Sequence, residues 1–144
     1  MNILVIYDST YGNTEKVAKA IGNAVGGDAK VLRVGDVKVP ELKAYNLLFI
    51  GCPTQWNKPT KPMQEFLNKI PESALKGIKT AVFDTRLTGK LTGLLGYADK
   101  KIAGALTKKG AVVLNTEGFF VKGSALQENE LARAVAWAKE IASR

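Results

Sequence analysis

Ser9-Thr10-Tyr11-Gly12-Asn13-Thr14 joins an apolar run to a helical pattern. The preceding residues 3–7 (ILVIY) are continuously apolar, which is typical of a strand covered on both faces of a parallel sheet. After the stretch, apolar residues recur at the spacing of an amphipathic helix, at Val17, Ala18, Ile21, Ala24 and Val25. The six residues are therefore predicted to form the turn from a buried strand into a helix that begins at about residue 13 or 14.

A turn of this kind favours an anion, because unpaired backbone N–H groups and the positive end of the helix dipole point at one place. Hydroxyl and amide side chains supply further donors, and Gly12 permits close approach or a positive φ. These residues could also simply cap a helix, but one cap needs only one of them. Neither the P-loop spacing nor the three-glycine dinucleotide motif occurs in this sequence. We therefore predict a phosphate site in the turn.

The remaining chain alternates strands and helices within one domain, residues 1–144. Strands are predicted at residues 30–34, 47–51, 79–83 and 111–114, and residues 119–121 either continue the last strand after a bulge or form an edge piece. Helices are predicted at 62–70, at 94–109 and from 128 onwards, with a single helical turn at 40–42. This alternation is typical of a doubly wound α/β sheet, whose ligand lies outside the carboxyl ends of the strands.

The six-residue turn resembles the FMN-phosphate loop of the flavodoxin family, Thr/Ser-x-Thr-Gly-x-Thr after the first strand. The resemblance implies a flavodoxin-like sandwich with a five-stranded parallel sheet in the order 2-1-3-4-5, helices on both faces and FMN as the cofactor. It also implies which residues bind the phosphate: Ser9, Thr10, Tyr11, Gly12, Asn13 and Thr14.

A second loop is predicted at residues 52–62, where three prolines interrupt any apolar period. It resembles the family pattern Gly-x-Pro-Thr-Trp-Asn with one residue, Gln55, inserted. The resemblance implies that Trp56 stacks on the isoalloxazine and that the Asn57–Lys58 peptide faces flavin N5. Alternatively, Trp56 plugs the loop against the second helix. The cofactor-binding residues expected here are Pro53, Thr54, Gln55, Trp56, Asn57 and Lys58.

A third loop is predicted at residues 84–93, and it lacks the tyrosine that flavodoxins commonly place midway. Tyr97, the nearest aromatic residue, is expected inside the following helix and is not assigned the stacking role. Arg86 either lies beside the flavin N1/O2 edge or is a surface arginine. The expected cofactor-binding residues are Asp84, Thr85, Arg86 and Leu87, mainly through the backbone groups of the last three, which could satisfy the pyrimidine edge of the flavin.

Composition narrows the chemistry. The chain has one cysteine, Cys52, and no histidine. This excludes a disulfide within the chain, Ser-His and Cys-His pairs and histidine metal ligands, so we expect no metal and no catalytic residues.

The net charge is +8, but the basic residues are spread along the sequence, and we expect no nucleic-acid partner. No apolar run reaches the roughly 18 residues of a membrane span, and no basic leader precedes the first strand. We expect a cytoplasmic protein.

We interpret the chain as an FMN-binding, low-potential electron carrier. A small FMN-dependent NAD(P)H:quinone-type reductase and a sensor module that binds FMN weakly or not at all remain alternatives. The second and third loops carry Lys58, Lys61, Arg86 and Lys90 against Asp84, an excess of three positive charges. This excess predicts a redox partner with an acidic docking patch, and a second reduction potential less negative than in acidic flavodoxins. A monomer is favoured over a dimer.

Overall fold

The computed structural model describes residues 1–88 and 96–144 of the chain. Within these ranges the strands are β1 Ile3–Tyr7, β2 Lys30–Arg33, β3 Leu47–Pro53, β4 Lys79–Leu87, β5 Val112–Lys122 and β6 Ala125–Leu126. The α-helices are α1 Asn13–Ala24, α2 Lys61–Lys69, α3 Ala98–Lys108 and α4 Glu130–Ala142. Short 3-10 segments at Val34–Asp36 and Val39–Ala44 connect β2 to β3, and the second contains the predicted helical turn.

The strands of the described residues form one sheet in the order β2-β1-β3-β4-β5-β6. The first five pair in parallel, as the doubly wound pattern predicts, and this confirms the order 2-1-3-4-5. The prediction of five strands missed β6, which pairs antiparallel with the end of β5. The register between β4 and β5 shifts at Thr80/Ala81, and β5 then runs on through residues 119–121, so the continuation after a bulge is confirmed.

The sheet buries a separate apolar cluster on each face. Side chains alternate along β1, so that Leu4 and Ile6 pack in the cluster that contains residues of α2 and α3, while Val5 packs in the cluster with residues of α1 and α4. In the second cluster the Trp137 ring of α4 meets three phenylalanine rings edge-on, at centroid distances of 5.6–6.4 Å. Helices on both faces therefore explain why the central strands are apolar throughout.

Several predicted boundaries were wrong. Residues 84–87 are not loop: they continue β4, because the strand keeps pairing with β5 as far as Leu87. Pro53 likewise belongs to β3 and pairs with Thr85. The third helix begins at Ala98, and Tyr97 is its N-cap residue, not an interior one. Residues 94 and 95, with which that helix was predicted to start, lie outside the described residues.

Candidate cofactor site

The turn after β1 has the geometry of an anion cradle. Gly12 takes φ 91° immediately before the first residue of α1, which confirms that this position needs the left-handed region. The Ser9 Oγ accepts the Gly12 N–H at 3.1 Å and so holds the loop closed. Among the described residues, the backbone N–H groups of Thr10, Tyr11, Asn13 and Thr14 have no protein acceptor. These donors lie at the positive end of the α1 dipole, where a phosphate is favoured.

Two threonines tie this turn to the middle of the sheet. The hydroxyls of Thr14 and Thr85 lie 2.7 Å apart and share a hydrogen bond, and both side chains are buried. Because Thr14 belongs to the first turn of α1 and Thr85 to β4, this bond fixes the helix N-terminus against the carboxyl end of the strand. The predicted neighbourhood of the first and third segments is therefore present in the structure.

A cleft of about 320 Å³ opens over these residues, and this volume falls within the roughly 300–1,000 Å³ of small-molecule sites. All three predicted segments contribute to it. Its lining includes the predicted residues Ser9, Thr10, Tyr11, Asn13, Thr14, Pro53, Thr54, Gln55, Thr85, Arg86 and Leu87. The predicted residues outside the lining are Gly12, Trp56, Asn57, Lys58 and Asp84.

Residues 55–58 form a tight two-residue turn. The Gln55 N–H donates to the Lys58 carbonyl at 2.8 Å, and the Lys58 N–H donates back at 2.9 Å. Trp56 and Asn57, the central residues, have φ 49° and 66°, the positive values that a type I′ turn requires. Trp56 is 93% exposed, so the alternative in which it plugs the loop against the second helix is wrong.

Polar contacts fix this turn relative to its neighbours. The Gln55 Nε2 donates to the Thr10 Oγ1 at 2.9 Å, which connects the first and second predicted segments. The Thr54 Oγ1 accepts the Ala98 N–H at 2.9 Å and thereby caps α3 from outside the helix. The Asn57 carbonyl accepts a hydrogen bond from the Lys101 Nζ of α3. The turn is thus held on two sides by side-chain hydrogen bonds.

Arg86 belongs to a buried charge cluster under the cleft. Its Nε and Nη2 donate to the two carboxylate oxygens of Asp84 at 2.7 and 2.8 Å, and its Nη2 lies 3.2 Å from the Asp99 Oδ2. The Tyr97 ring covers the guanidinium, with the Arg86 Cζ 3.6 Å from the ring centroid. Asp84 is fully buried, so its side chain cannot line the cleft. The alternative that Arg86 is an ordinary surface arginine is therefore wrong.

Burial and charge pull the Asp84 pKa in opposite directions. Desolvation of the carboxylate is the larger effect and raises its pKa to about 6, although the Arg86 guanidinium opposes the shift. The pKa of Arg86 is raised by its hydrogen bond to Asp84, against its own desolvation. The cluster thus holds the Arg86 guanidinium between the side chains of Asp84 and Asp99. Arg86 contributes no free positive charge to the cleft.

One wall of the cleft was not predicted from the sequence: it is formed by Val121, Gly123 and Ser124 at the β5–β6 hairpin. The Asn13 Nδ2 donates to the Ser124 carbonyl at 3.1 Å, across 111 positions of sequence. Gly123 takes φ 64° at the hairpin turn. A signal was available: β5 is parallel to the other strands, so its carboxyl end had to reach the same edge of the sheet as the three predicted segments.

The described residues offer no ligand set for a metal. In residues 1–88 and 96–144 no three His, Cys, Asp or Glu side chains come close enough together to hold an ion. Cys52 is buried, and burial raises the pKa of its thiol to about 12, which removes it as a nucleophile. No helix within the described ranges is long and apolar enough to span a membrane.

The fold is that of a doubly wound α/β protein, and a cleft lined in part by the turn after β1 lies at the carboxyl edge of its sheet. The flavodoxin family model matches residues 5–137 of the chain. The chain therefore belongs to the flavodoxin family, and it is an FMN-binding electron-transfer protein.

Individual relatives agree with this assignment. The chain is 29% identical to the flavodoxin of Maridesulfovibrio salexigens, over 98% of this chain and 97% of that one. It is also 29% identical to the flavodoxin of Synechocystis, where the match covers 69% of this chain and 63% of the relative's length.

Among solved structures, a flavodoxin from the domain Archaea superposes with a TM-score of 0.82 at 26% identity, covering 99% of this chain and 97% of that chain. Oxidised flavodoxin 1 of Bacillus cereus gives 0.81 at 19% identity and covers 100% and 99% of the two chains, a likeness of fold.

Proposed function

We propose that this chain holds FMN in the cleft with its phosphate on residues 9–14, and that it passes electrons between proteins without transforming a substrate. The observation that carries the proposal is the set of backbone N–H groups at the start of α1 that have no acceptor among the described residues. A dianionic phosphate satisfies several of them at once and gains from the helix dipole. FMN supplies the redox chemistry, and the protein supplies binding, orientation and electrostatics.

Each segment of the cleft would contact a different part of FMN. The four unpaired N–H groups would hold the phosphate, with the Asn13 side chain already committed to the Ser124 carbonyl. Leu87 and Val121 give the cleft apolar surface for the flavin body. Trp56, on the turn beside the cleft, offers an exposed indole that can cover one face of the ring. The Thr14–Thr85 bond keeps the phosphate end and the β4 end at a fixed separation.

The charge near the cleft favours an acidic partner protein. Lys58 and Lys61 are exposed, while Arg86 is paired with Asp84 and Asp99. Lys90, which the sequence count included, lies outside the described residues. The positive field at this edge therefore comes from lysines, and it is smaller than the sequence count suggested. We propose a cytoplasmic monomer whose redox partners present carboxylates to these lysines; a positive edge of this kind speeds association at low salt.

The test compares FMN with riboflavin, which lacks the phosphate. The phosphate anchor predicts that the chain binds FMN far more tightly than riboflavin, in a titration followed by flavin absorbance or fluorescence. Anaerobic NADPH alone should leave the bound flavin oxidised, whereas a one-electron donor should reduce it. Equal affinity for the two flavins would refute the phosphate cradle, and rapid bleaching by NADPH would favour a reductase.

A matched pair of glycine variants locates the anchor. Gly12 and Gly26 flank the two ends of α1, both have positive φ, and an added Cβ meets no atom within 4 Å at either position. Alanine therefore introduces comparable backbone strain at both, on the order of 1 kcal/mol. Gly12→Ala should weaken FMN binding while Gly26→Ala leaves it unchanged. Equal FMN affinity of the two variants would place the phosphate elsewhere.

A further inference from the structure

A groove separates α2 from α3 on the side of the sheet that carries the first apolar cluster. It consists of two neighbouring hollows of about 330 and 440 Å³, which share Leu67, Asn68, Lys101 and Ala105. Pro59, Leu67 and Ala105 give it apolar lining, and a Cβ built at Gly104 meets no atom within 4 Å. The groove can therefore receive side chains of another molecule between the two helices.

The walls of the groove are strongly basic. Its lining carries Lys58, Lys101, Lys108 and Lys109 against one carboxylate, Glu72. None of these lysines forms an ion pair with a carboxylate of the described residues. Residues 58–79 and 98–109 together contain nine lysines and three acidic residues, a net charge of +6 out of the +8 of the whole chain. The segments that contain α2 and α3 thus carry most of the excess charge of the chain, and four of their lysines line the groove.

The groove leads directly to the candidate cofactor site. Lys58 lines only the smaller of the two hollows and belongs to the two-residue turn that carries Trp56. Lys101, which lines both hollows, donates to the Asn57 carbonyl of the same turn. A molecule seated in the groove would therefore contact the element next to the flavin.

We propose that the α2–α3 groove is the docking surface for an acidic segment of a redox partner protein. The inference rests on the proposed electron-carrier function and specifies where the acidic partner binds. The wall lysines, which form no ion pair with a described carboxylate, match the carboxylates of the partner. The apolar lining residues Leu67 and Ala105 match an aliphatic side chain next to those carboxylates. Seating there brings the partner beside the turn at the flavin, as electron transfer between proteins requires.

The groove lining is better suited to an acidic protein segment than to nucleic acid or an anionic membrane surface. Single-stranded nucleic acid is usually bound by aromatic side chains that stack on bases, and the groove lining contains none. A membrane surface would require large apolar side chains projecting beside the lysines. The exposed large apolar residues of the described chain include Tyr11, Trp56 and Phe120, and none of those identified lines the groove.

The test uses the full chain loaded with FMN, labelled with ¹⁵N, and a helical peptide in which glutamate pairs flank leucines. At low salt, the amide shifts caused by the peptide should cluster at residues 64–68 and 101–109. Lys108→Glu should lower the affinity for the peptide by about three- to tenfold, the range expected for reversing one charge of an interface. Lys139→Glu is the matched control, because both lysines lie in the last turn of their helices and both changes lower the net charge equally.

A second variant changes shape without charge. The Gly104→Gln side chain fills the groove, so this variant should weaken binding of the peptide as Lys108→Glu does. Amide shifts spread over α1 and α4, or equal losses with Lys108→Glu and Lys139→Glu, would overturn the proposal. Tighter binding at the groove of a uridine oligonucleotide or of phosphatidylserine vesicles than of the peptide would also overturn it. The flavin spectrum of each sample is recorded in parallel, so that loss of FMN, which would refute the proposed function, is distinguished from a failure of docking alone.

Discussion

Gly118 of β5 lies directly opposite Asp84 of β4, and the space that its missing side chain leaves is filled by the Arg86 guanidinium. A Cβ built at Gly118 would collide with the Arg86 Cζ and Nε. The guanidinium needs this place because it bridges Asp84 on its own strand and Asp99 of α3. One glycine therefore makes room for the charge cluster beneath the cofactor cleft.

Gly118→Ala should destabilise the fold. The added methyl group displaces the guanidinium and leaves the fully buried Asp84 carboxylate without its best partner. Overpacking and a broken buried ion pair together cost roughly 2–5 kcal/mol. The free energy of unfolding is measured in urea. Gly104→Ala is the control, because its added Cβ enters open space in the middle of α3. This variant should raise the free energy of unfolding by about 0.5–1 kcal/mol, since alanine favours the helix more than glycine does. A Gly118→Ala protein as stable as wild type would show that the guanidinium can bind elsewhere.

Asp84→Asn should change how stability depends on pH. Burial raises the Asp84 pKa from 3.8 to about 6, so the folded state binds this proton more tightly than the unfolded state. The corresponding stabilisation is complete below pH ~4 and is lost as pH rises through about 6. Relative to the Asn variant, the wild-type free energy of unfolding should therefore fall between pH 4.5 and 7, by on the order of 2 kcal/mol.

Asp28→Asn provides the comparison for this measurement, because Asp28 is an exposed carboxylate in a turn. Its pH profile records the general effect of removing one exposed carboxylate. If the Asp84→Asn profile runs parallel to wild type, Asp84 is ionised equally readily in the folded and unfolded states, and burial does not outweigh the Arg86 guanidinium.

Thr54→Val should loosen α3. The Thr54 hydroxyl accepts the N–H of Ala98, the first residue of that helix, from a loop 44 positions earlier. Loss of such a cap costs about 0.5–2 kcal/mol. Thr107→Val is the control, since the Thr107 hydroxyl donates to the Ala103 carbonyl within the helix and is exposed. Hydrogen exchange of the first α3 amides should increase in Thr54→Val alone; unchanged protection would mean that another group caps the helix.

The fold was predictable because its signals are local. Residues 3–7 and 47–51 are continuously apolar, and this pattern alone identifies strands that are covered on both faces. Residues 84–87 (DTRL) were misassigned to a loop because a charged pair inside a strand has no local signal. The pair is tolerated because Asp99, which is 15 positions from Asp84, and Gly118 complete its surroundings. Such contacts depend on the tertiary structure and cannot be inferred from spacing.

The turn after β1 was predictable for a related reason: its free backbone N–H groups, at residues 10, 11, 13 and 14, lie close together in sequence at one helix end. The contribution of Ser124 was not, since it depends on a two-stranded extension of the sheet after β5. The polar residues of the second segment were identified by resemblance, but their contacts were not. The hydrogen bonds from Gln55 to Thr10 and from Lys101 to the Asn57 carbonyl join parts of the chain about 45 positions apart.

Trp56 should become shielded from solvent when FMN binds. The chain has two tryptophans, and they differ in environment: Trp56 is 93% exposed, while Trp137 packs among phenylalanines and donates to the Asn115 Oδ1 at 2.9 Å. In Trp137→Phe only Trp56 emits, and acrylamide should quench this emission readily without FMN and several-fold less with it, because a ring stacked on the isoalloxazine loses its contact with solvent. In Trp56→Phe only Trp137 emits. FMN should lower the intensity of this emission by energy transfer and leave its acrylamide quenching constant unchanged. Acrylamide access to Trp56 that is the same with and without FMN would show that the indole does not cover the flavin.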